Sequence, residues 1–300
     1  MSKSVSLLSA LMCTFIWGTT FIAQDTGMDG IGPFTFNAVR FFVGFLSIFP
    51  MVFLFELKKF KTEFKQDIKS FAILSILIGL SLFLGSALQQ VSLLYTDVAN
   101  AAFFTIFYVP MVPIIIFFFR KKTLHWSVWP SVVLCLIGGY LLTNFYDTEV
   151  RLGDGLVILG ALFWSTHIIF TGMIIVKYNL PLTIGAVQTL IVAIFSFMIG
   201  SIYEEFVLEN ILKEIDSILY AGILSGGLAF VLQIYAQRRI TPAPAAIIFS
   251  LEGVFATIAA WIILNQILDF NNLLGCFFIL SGVLLSQLLP LMKKKIKNKS

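Results

Sequence analysis

The feature that most constrains the fold is a series of apolar stretches, each long enough to cross a lipid bilayer as a helix. A spanning helix needs roughly 20 apolar residues. Cutting the chain at its charged and turn residues predicts ten spans, with boundaries accurate to a few residues. Their approximate ranges are 4–24, 32–55, 70–94, 98–119, 125–145, 154–176, 180–202, 217–237, 243–264 and 271–290.

Composition places the chain in the membrane class. Of its 300 residues 59% are hydrophobic and 12% are charged, whereas ordinary soluble domains carry about 25% charged residues. The first apolar run, from Ser4 to Gln24, is longer than the apolar region of a signal peptide, and no small-residue cleavage site ends it. We therefore interpret it as a retained span. The segment 203–216 is a candidate short interfacial helix.

The positive charges predict the orientation, because Lys and Arg accumulate in cytoplasmic loops. With the N-terminus inside, nearly all of the 20 Lys and Arg residues lie in inside segments. Only Arg151 and Lys213 lie in outside loops, and Arg40 lies within a span. This pattern predicts a multi-pass protein of the cell (inner) membrane with both termini cytoplasmic.

An internal repeat is visible in the sequence. The segment FIWGT at 15–19 matches LFWST at 162–166, and residues 96–109 align without gaps to 241–254. Five spans form each copy, and because five is odd the second copy is inverted. The predicted fold is all-α integral membrane, with ten helices as two inverted five-helix repeats, at 1–146 and 147–292, and a basic cytoplasmic tail at 293–300. Inverted repeats are typical of alternating-access transporters with a midplane substrate site.

Two charged residues lie inside predicted spans. Glu252 is about 13 Å from the nearer membrane edge, and Arg40 is roughly 10–12 Å deep. A charge at that depth costs at least a few kcal/mol unless it is neutralised, paired or hydrated, so both should face the interior. Glu252 is a candidate for binding a cationic group or exchanging a proton, or else for a structural hydrogen bond. Arg40 could pair with Glu252, anchor a substrate carboxylate, or reach the outer headgroups.

Several other residues within spans are candidates for a cavity. Trp17 and Trp164 occupy matching positions in the two repeats, and Gly18 and Ser165, which follow them, are small enough for close helix approach. The tryptophans could line a cavity or simply pack between helices. His167 could titrate near neutral pH and couple transport to protons, or it could be a hydrogen-bonded core residue.

A polar set inside the spans should face inward, because amides in lipid need partners. Its members are Gln24, Asn37, Gln89, Gln90, Asn100, Tyr108, Gln188, Gln233, Tyr235 and Gln237. Tyr108 and Tyr235 are its aromatic members and are further candidates for substrate binding. Pro110 and Pro113 should kink the fourth span. Interhelical bonding alone would also account for this set.

No motif for enzymatic chemistry is present. The cysteines Cys13, Cys135 and Cys276 lie far apart in apolar runs and are interpreted as small buried hydrophobic residues. The sequence has no Cys/His metal set, nucleophile elbow, P-loop or basic nucleic-acid tract. We expect no catalytic residue, metal, cofactor or nucleic-acid partner. The expected partners are a small-molecule substrate and the lipid bilayer, with protons and the oligomeric state left open.

Five segments, in order and covering essentially the whole chain, carry a resemblance to a known family. They are FIWGTTFIAQ, IGPFTFNAVRFFVG, YTDVANAAFFTIFYVPMVPII, GALFWSTHIIF and QRRITPAPAAIIFSLEGVFATIAAWIILNQ. The chain resembles the EamA-type members of the drug/metabolite transporter superfamily. It departs from them where Gly253, instead of the proline common in the family, follows Glu252. It also has Arg120-Lys121 and Asn265-Gln266 where the family often has Gly-Glu.

The resemblance implies a secondary transporter, not an enzyme, that moves a small organic metabolite by alternating access, with export favoured. We expect an amino acid or related compound, because Arg40 adds positive charge to the interior. An exporter of amphiphilic or cationic drugs or of nucleobase-like compounds is the alternative. The alternative to a transporter is a channel or a structural membrane subunit. A membrane-embedded enzyme is not favoured, because the sequence has no cluster of catalytic groups.

Overall fold

The computed structural model of the chain describes residues 2–96, 98–121, 123–142, 151–264 and 267–297. Every regular element within these residues is a helix. The apolar helices are α1 (Lys3–Thr26), α2 (Pro33–Thr62), α3 (Asp67–Ser92), α4 (Asn100–Phe119), α5 (Val128–Leu142), α6 (Leu152–Tyr178), α7 (Pro181–Tyr203), α8 (Ile215–Gln237), α9 (Pro242–Ile263) and α10 (Phe270–Pro290). Among the described residues nine of them are long and apolar enough to cross a membrane, and α5 is shorter. The predicted end of the fifth span, at 145, lies outside the described residues.

The two long interruptions between predicted spans both contain helix. The charged segment 56–69 continues the helical path, with a kink at Asp67 (φ −156°, ψ 64°) where α3 begins. The segment contains no Gly or Pro that would stop a helix. At the kink, the Asp67 carboxylate accepts a hydrogen bond from the Ser70 N–H at 3.2 Å. The segment 203–216 contains the short helix Leu208–Lys213.

Helices α4 and α9 are each broken near their middle. The break in α4 follows Thr105, where the Ile106 carbonyl accepts from the Val109 N–H at 2.8 Å. Pro110 lacks the N–H that this carbonyl would accept in a regular helix, as the sequence predicted. The break in α9 falls at Ser250, although no proline follows Glu252. The two breaks therefore lie at nearly equivalent positions of the repeat alignment.

The first turn of α2 is capped by a distant carboxylate. Glu204, just beyond the end of α7, accepts hydrogen bonds from the backbone N–H groups of Phe34 (2.9 Å) and Thr35 (2.7 Å) and from the Thr35 hydroxyl (2.7 Å). The first N–H groups of a helix have no partner within the helix, and the helix dipole favours a negative charge beside them. Glu204 thus fixes the start of α2 against the end of α7.

The first turn of α7 has the same cap from α2. The carboxylate of Glu56 accepts from the N–H groups of Leu182 (3.1 Å) and Thr183 (2.8 Å) and from the Thr183 hydroxyl (2.8 Å). Helices α2 and α7 pack along each other over their length. Each therefore caps the other, at opposite ends of the pair.

Replacing Glu204 with alanine should destabilise the protein by about 1–2 kcal/mol, as loss of a helix cap typically does. The midpoint of thermal unfolding of the purified protein in detergent measures this change. Glu205→Ala is the matched control, because the neighbouring Glu205 is exposed. Equal midpoints for the two variants would contradict the capping role of Glu204.

The ends of the helices form two faces of opposite charge. We call the side that carries Lys58, Lys61, Lys69, Lys177, Arg238 and Arg239 the basic face. The acidic face, at the other ends of the same helices, carries Asp25, Asp29, Glu204, Glu205 and Asp216. Between the faces, α3 packs on α6, α5 on α10, and α1 on both α8 and α9.

Candidate functional site

A central cavity lies between seven of the helices. Its lining residues are Trp17, Phe21, Gln24, Arg40, Phe41, Gln89, Thr105, Tyr108, Trp164, Ile168, Ser225, Phe230, Gln233, Phe249 and Glu252. Five of the six residues that the sequence suggested for substrate binding are among them. The cavity has an open volume of about 50 Å³, and a water molecule needs roughly 10–15 Å³ by the same kind of measure. The space therefore suits a few waters in this conformation and must widen to admit a metabolite.

Glu252 and Tyr108 meet across the cavity. The Tyr108 hydroxyl donates a hydrogen bond to the Glu252 carboxyl at 3.1 Å, and both side chains are buried. Tyr108 begins the helical segment that follows the break in α4, and Glu252 lies just beyond the break in α9. Broken helices at membrane depth are tolerated where they line a cavity. The breaks thus place a carboxyl and a phenol on facing walls.

Arg40 lines the same cavity but has different partners. Its Nε donates to the Asn37 side-chain oxygen at 2.8 Å, and its guanidinium lies over the rings of Phe41 (4.7 Å) and Phe36 (5.3 Å). The side chain is only 4% exposed. Among the described side chains, no carboxylate forms an ion pair with Arg40. Arg40 and Glu252 are therefore a basic and an acidic group that share one cavity without forming an ion pair with each other.

The walls between these polar groups are aromatic. The ring of Phe230 lies between the two tryptophans, edge-on to Trp17 at 5.2 Å and parallel to Trp164 at 6.3 Å. Helix α1 approaches α9 closely beside them, since a Cβ on Gly18 would lie 2.6 Å from the Glu252 carbonyl oxygen. The close approach that the sequence predicted at Gly18 is confirmed. Contacts of this kind need a glycine, because any side chain would separate the helices.

Two other candidates lie outside this cavity. His167 is fully buried one layer behind the wall, where its Nε2 shares a hydrogen bond with the Gln188 side-chain oxygen at 3.0 Å and its ring meets the edge of Trp164. Tyr235 lies nearer the basic face, with its ring under the Arg238 guanidinium at 4.5 Å. Neither residue contacts the cavity directly.

Several lining residues carried no signal in the sequence. They are Phe21, Phe41, Thr105, Ile168, Ser225, Phe230 and Phe249. The chain has 32 phenylalanines, so no pattern distinguishes the four that line the cavity from the others. Gln24, Gln89 and Gln233 did belong to the inward-facing polar set. Ser225 lies in a wide π-helical segment, Tyr220–Ala229, and such segments are frequent at functional sites.

Two glutamines bond to residues of the cavity wall, one toward each face. Toward the acidic face, the Gln90 amide donates to the Gln24 carbonyl at 2.9 Å. Toward the basic face, the Gln237 amide donates to the Ile168 carbonyl at 2.7 Å. Gln24 and Ile168 both line the cavity, and the side-chain oxygens of Gln90 and Gln237 are buried with no hydrogen-bond partner among the described residues.

Two of the lining residues also carry polar atoms without partners. The Trp164 indole N–H and both amide atoms of Gln233 are buried and make no hydrogen bond within the described part of the chain. Such atoms are costly unless water or a ligand bonds them. Within the same residues, no group of three or more His, Cys, Asp or Glu side chains is arranged to hold a metal ion.

Comparison with known proteins gives consistent matches over the full length. The EamA-like transporter family matches twice, at residues 4–144 and 151–288. An uncharacterized transporter of Archaeoglobus fulgidus is 30% identical over 94% of this chain and 85% of its own. The uncharacterized transporter YoaV of Bacillus subtilis is 25% identical over 93% and 96%. One crystal structure has a TM-score of 0.80 at 16% identity, covering 96% of this chain and 98% of its own, which indicates a shared fold.

Proposed function

The chain belongs to the EamA-like transporter family and is a multi-pass membrane protein, and from this premise we propose that it carries an amino acid or a related small metabolite across the membrane. The observation that carries the proposal is that Arg40 and Glu252 line one cavity without pairing. An amino acid brings a carboxylate and an ammonium group. Its carboxylate would give Arg40, and its ammonium group would give Glu252, a partner of opposite charge.

The cavity walls suit the rest of such a molecule. The carboxylate would lie at Arg40, whose terminal nitrogens make no hydrogen bond to a described residue, and guanidinium groups bind carboxylates strongly. The ammonium group would lie between Glu252 and Tyr108. An apolar side chain would contact Trp17 and Trp164, and the unpartnered atoms of Gln233 would bond the substrate or its waters. The resemblance to the family favours export.

We propose alternating access between two inverted five-helix repeats as the mechanism. In this proposal the chain crosses the cell's inner membrane ten times. Both termini and the basic face then lie on the cytoplasmic side. The reciprocal caps of α2 and α7, the matching breaks in α4 and α9, and the two glutamines bonded to the cavity wall all support an inverted pseudo-symmetry. The proposed boundary between repeats, at 146 and 147, lies outside the described residues, as does the end of the proposed tail at 298–300.

The two glutamines then act as alternating closures. Releasing Gln237 from Ile168 would open the cavity to the basic face, and releasing Gln90 from Gln24 would open it to the acidic face. Gln237 is held by an amide-to-carbonyl hydrogen bond, and Gln90 by such a bond together with a contact of its amide to the Met28 sulfur at 3.0 Å. A hydrogen bond of this kind contributes about 0.5–1.5 kcal/mol. The state with Gln237 released and the state with Gln90 released should therefore differ little in free energy, as a transporter that samples both states requires.

We propose Glu252 as the group through which a proton gradient acts. Its carboxyl faces the cavity, so a cavity that opens to one face and then the other would let it exchange protons with each side in turn. His167 is the second candidate, but it lies behind Trp164 and Phe230. Protons would reach it only after those rings move.

Transport of zwitterions by purified protein in proteoliposomes tests the proposed substrate class. Free amino acids should compete for transport, and their amide derivatives, which lack the carboxylate, should compete roughly tenfold less well or worse, because a hydrogen bond to a charged group contributes about 1.5–3 kcal/mol. The Arg40→Gln variant should lose this preference, and Arg40→Lys should keep part of it. Equal competition by amides, or no substrate in a broad metabolite panel, would refute the proposal.

A further inference from the structure

A second and wider pocket opens on the basic face. It has a volume of about 800 Å³ and lies between the ends of α3, α6 and α8 and the start of α9. Its charged lining residues are Asp67, Lys69, Lys177, Arg238 and Arg239. The pocket shares no lining residue with the central cavity.

The pocket has an excess of positive charge. Its lining carboxylate, Asp67, is paired with Lys177 at 2.6 Å. Three cations then remain, and Lys69 and Arg239 are exposed and form no ion pair or side-chain hydrogen bond with a described residue. The N-terminus of α9, at Thr241 and Pro242, adds the positive end of its helix dipole. The charges on the walls thus favour an anionic occupant.

Arg238 adds a fixed guanidinium group whose Nε–H donor has no partner among the described residues. Its guanidinium is fixed over the Tyr235 ring at 4.5 Å, and one terminal nitrogen donates weakly to the Asn179 carbonyl at 3.4 Å. Its Nε is buried without a partner among the described residues. An oxygen atom of a carboxylate or phosphate would satisfy this N–H. The side-chain oxygen of Gln237, which also lines this pocket, is likewise buried without a partner among the described residues.

The position of the pocket gives it a relation to the transport path. Ile168 lines the central cavity and Gln237 lines the basic pocket, and a hydrogen bond of 2.7 Å from the Gln237 amide to the Ile168 carbonyl joins the two walls. Gly172, one turn beyond Ile168, lies in the pocket wall. An anion bound here would therefore lie on the basic-face side of the hydrogen bond between Gln237 and Ile168.

We infer that this pocket is a binding site for an anionic oxygen group, a carboxylate or a phosphate, at the basic mouth of the central cavity. The site goes beyond the proposed function, and only its role as an entrance rests on that function. The anionic group could belong to a free metabolite or to the headgroup of an anionic lipid, since basic pockets between membrane helices bind such headgroups.

Thermal unfolding of the full chain in nanodiscs tests the inference without any transport assay. In phosphatidylcholine nanodiscs, inorganic phosphate and citrate should each raise the unfolding midpoint above the value in chloride of equal ionic strength, since a ligand that binds only the folded state stabilises it. Nanodiscs containing phosphatidylglycerol separate the two sources. If a headgroup occupies the site, the lipid alone raises the midpoint and phosphate then adds little. If a free anion does, phosphate acts equally in both lipids.

The double variant Lys69→Gln/Arg239→Gln should weaken the apparent affinity at least about tenfold, because each basic side chain near an anion contributes about 1 kcal/mol. Both residues are exposed, so the fold should tolerate the change. The matched control is Lys58→Gln/Lys61→Gln, which removes the same charge from exposed positions on the same face outside the pocket. Stabilisation that is absent in every lipid, or that the two double variants reduce equally, would overturn the inference. Failure of transport would leave this result unaffected.

Discussion

Replacing Glu252 with glutamine is expected to lower transport roughly 10- to 100-fold and to remove its response to a pH gradient. The fold-change follows from losing a charged partner for the substrate, which contributes about 1.5–3 kcal/mol. The gradient response is lost because glutamine has no titratable proton. The amide keeps the size of the carboxyl and can still accept from the Tyr108 hydroxyl, which bonds Glu252 at 3.1 Å. The measurement is uptake and efflux in proteoliposomes with and without a pH gradient.

Two further variants separate the carboxyl from its surroundings. Tyr108→Phe removes the hydroxyl that donates to Glu252 but leaves the carboxyl, so transport should weaken while the gradient response survives. Glu252→Asp keeps a titratable group and should restore part of both. If Glu252→Gln transports normally with unchanged pH dependence, Glu252 is a structural residue and its proton role is refuted.

Gly18→Ala should destabilise the protein strongly for a change of a single methyl group. The new Cβ would lie 2.6 Å from the Glu252 carbonyl oxygen, 2.7 Å from the Phe255 Cβ and 2.8 Å from the Ala256 nitrogen. Two of these neighbours are backbone atoms, so α1 and α9 must move apart at the level of the cavity. Overpacking of this kind costs about 1–3 kcal/mol or more. The unfolding midpoint in detergent and the transport rate should both fall.

Gly155→Ala is the matched control for that substitution. Gly155 also lies in a helix, and no atom would lie within 4 Å of its added Cβ. Alanine favours a helix over glycine by about 1 kcal/mol, so this variant should be as stable as the parent or more stable. Equal destabilisation by the two variants would contradict the close contact between α1 and α9.

The spans were predictable because their signal is local. Roughly 20 apolar residues between charges suffice to indicate a spanning helix, and the described helices follow the predicted ranges closely. The segment 56–69 was harder to interpret, because its charges end an apolar run without ending a helix. The kink at Asp67 depends on one backbone conformation and on the bond from Ser70. Hydropathy carries no information about either.

The candidate site was partly predictable because burying a charge is costly. Depth alone singled out Arg40 and Glu252, and the repeat singled out Trp17 and Trp164. Phe230, the ring between the two tryptophans, had no such signal among so many phenylalanines. Tyr235 has the same polar and aromatic character as Tyr108, yet it lies nearer the basic face. Which side of a helix faces the cavity depends on tertiary packing that a single sequence does not encode locally.

The reciprocal caps of α2 and α7 show what only the fold reveals. Glu56 lies in the last part of α2 and Glu204 just beyond the end of α7, and each binds the first turn of the other helix. In the sequence they were ordinary loop carboxylates far from the residues they cap. Once the helices are paired, PFT at 33–35 and PLT at 181–183 emerge as matching positions of the repeat. Long-range partners of this kind require the three-dimensional structure.

The most direct test of alternating access is whether one residue of the central cavity can be reached from both faces. Ser225→Cys, in a chain whose Cys13, Cys135 and Cys276 are replaced, provides a single thiol in the cavity wall. A membrane-impermeant thiol reagent applied to either face should label it, and a transported amino acid should protect it. Gln237→Ala should favour labelling from the basic face, and Gln90→Ala should favour labelling from the acidic face. Labelling from one face alone in all three proteins, with no protection by any amino acid, would contradict the account.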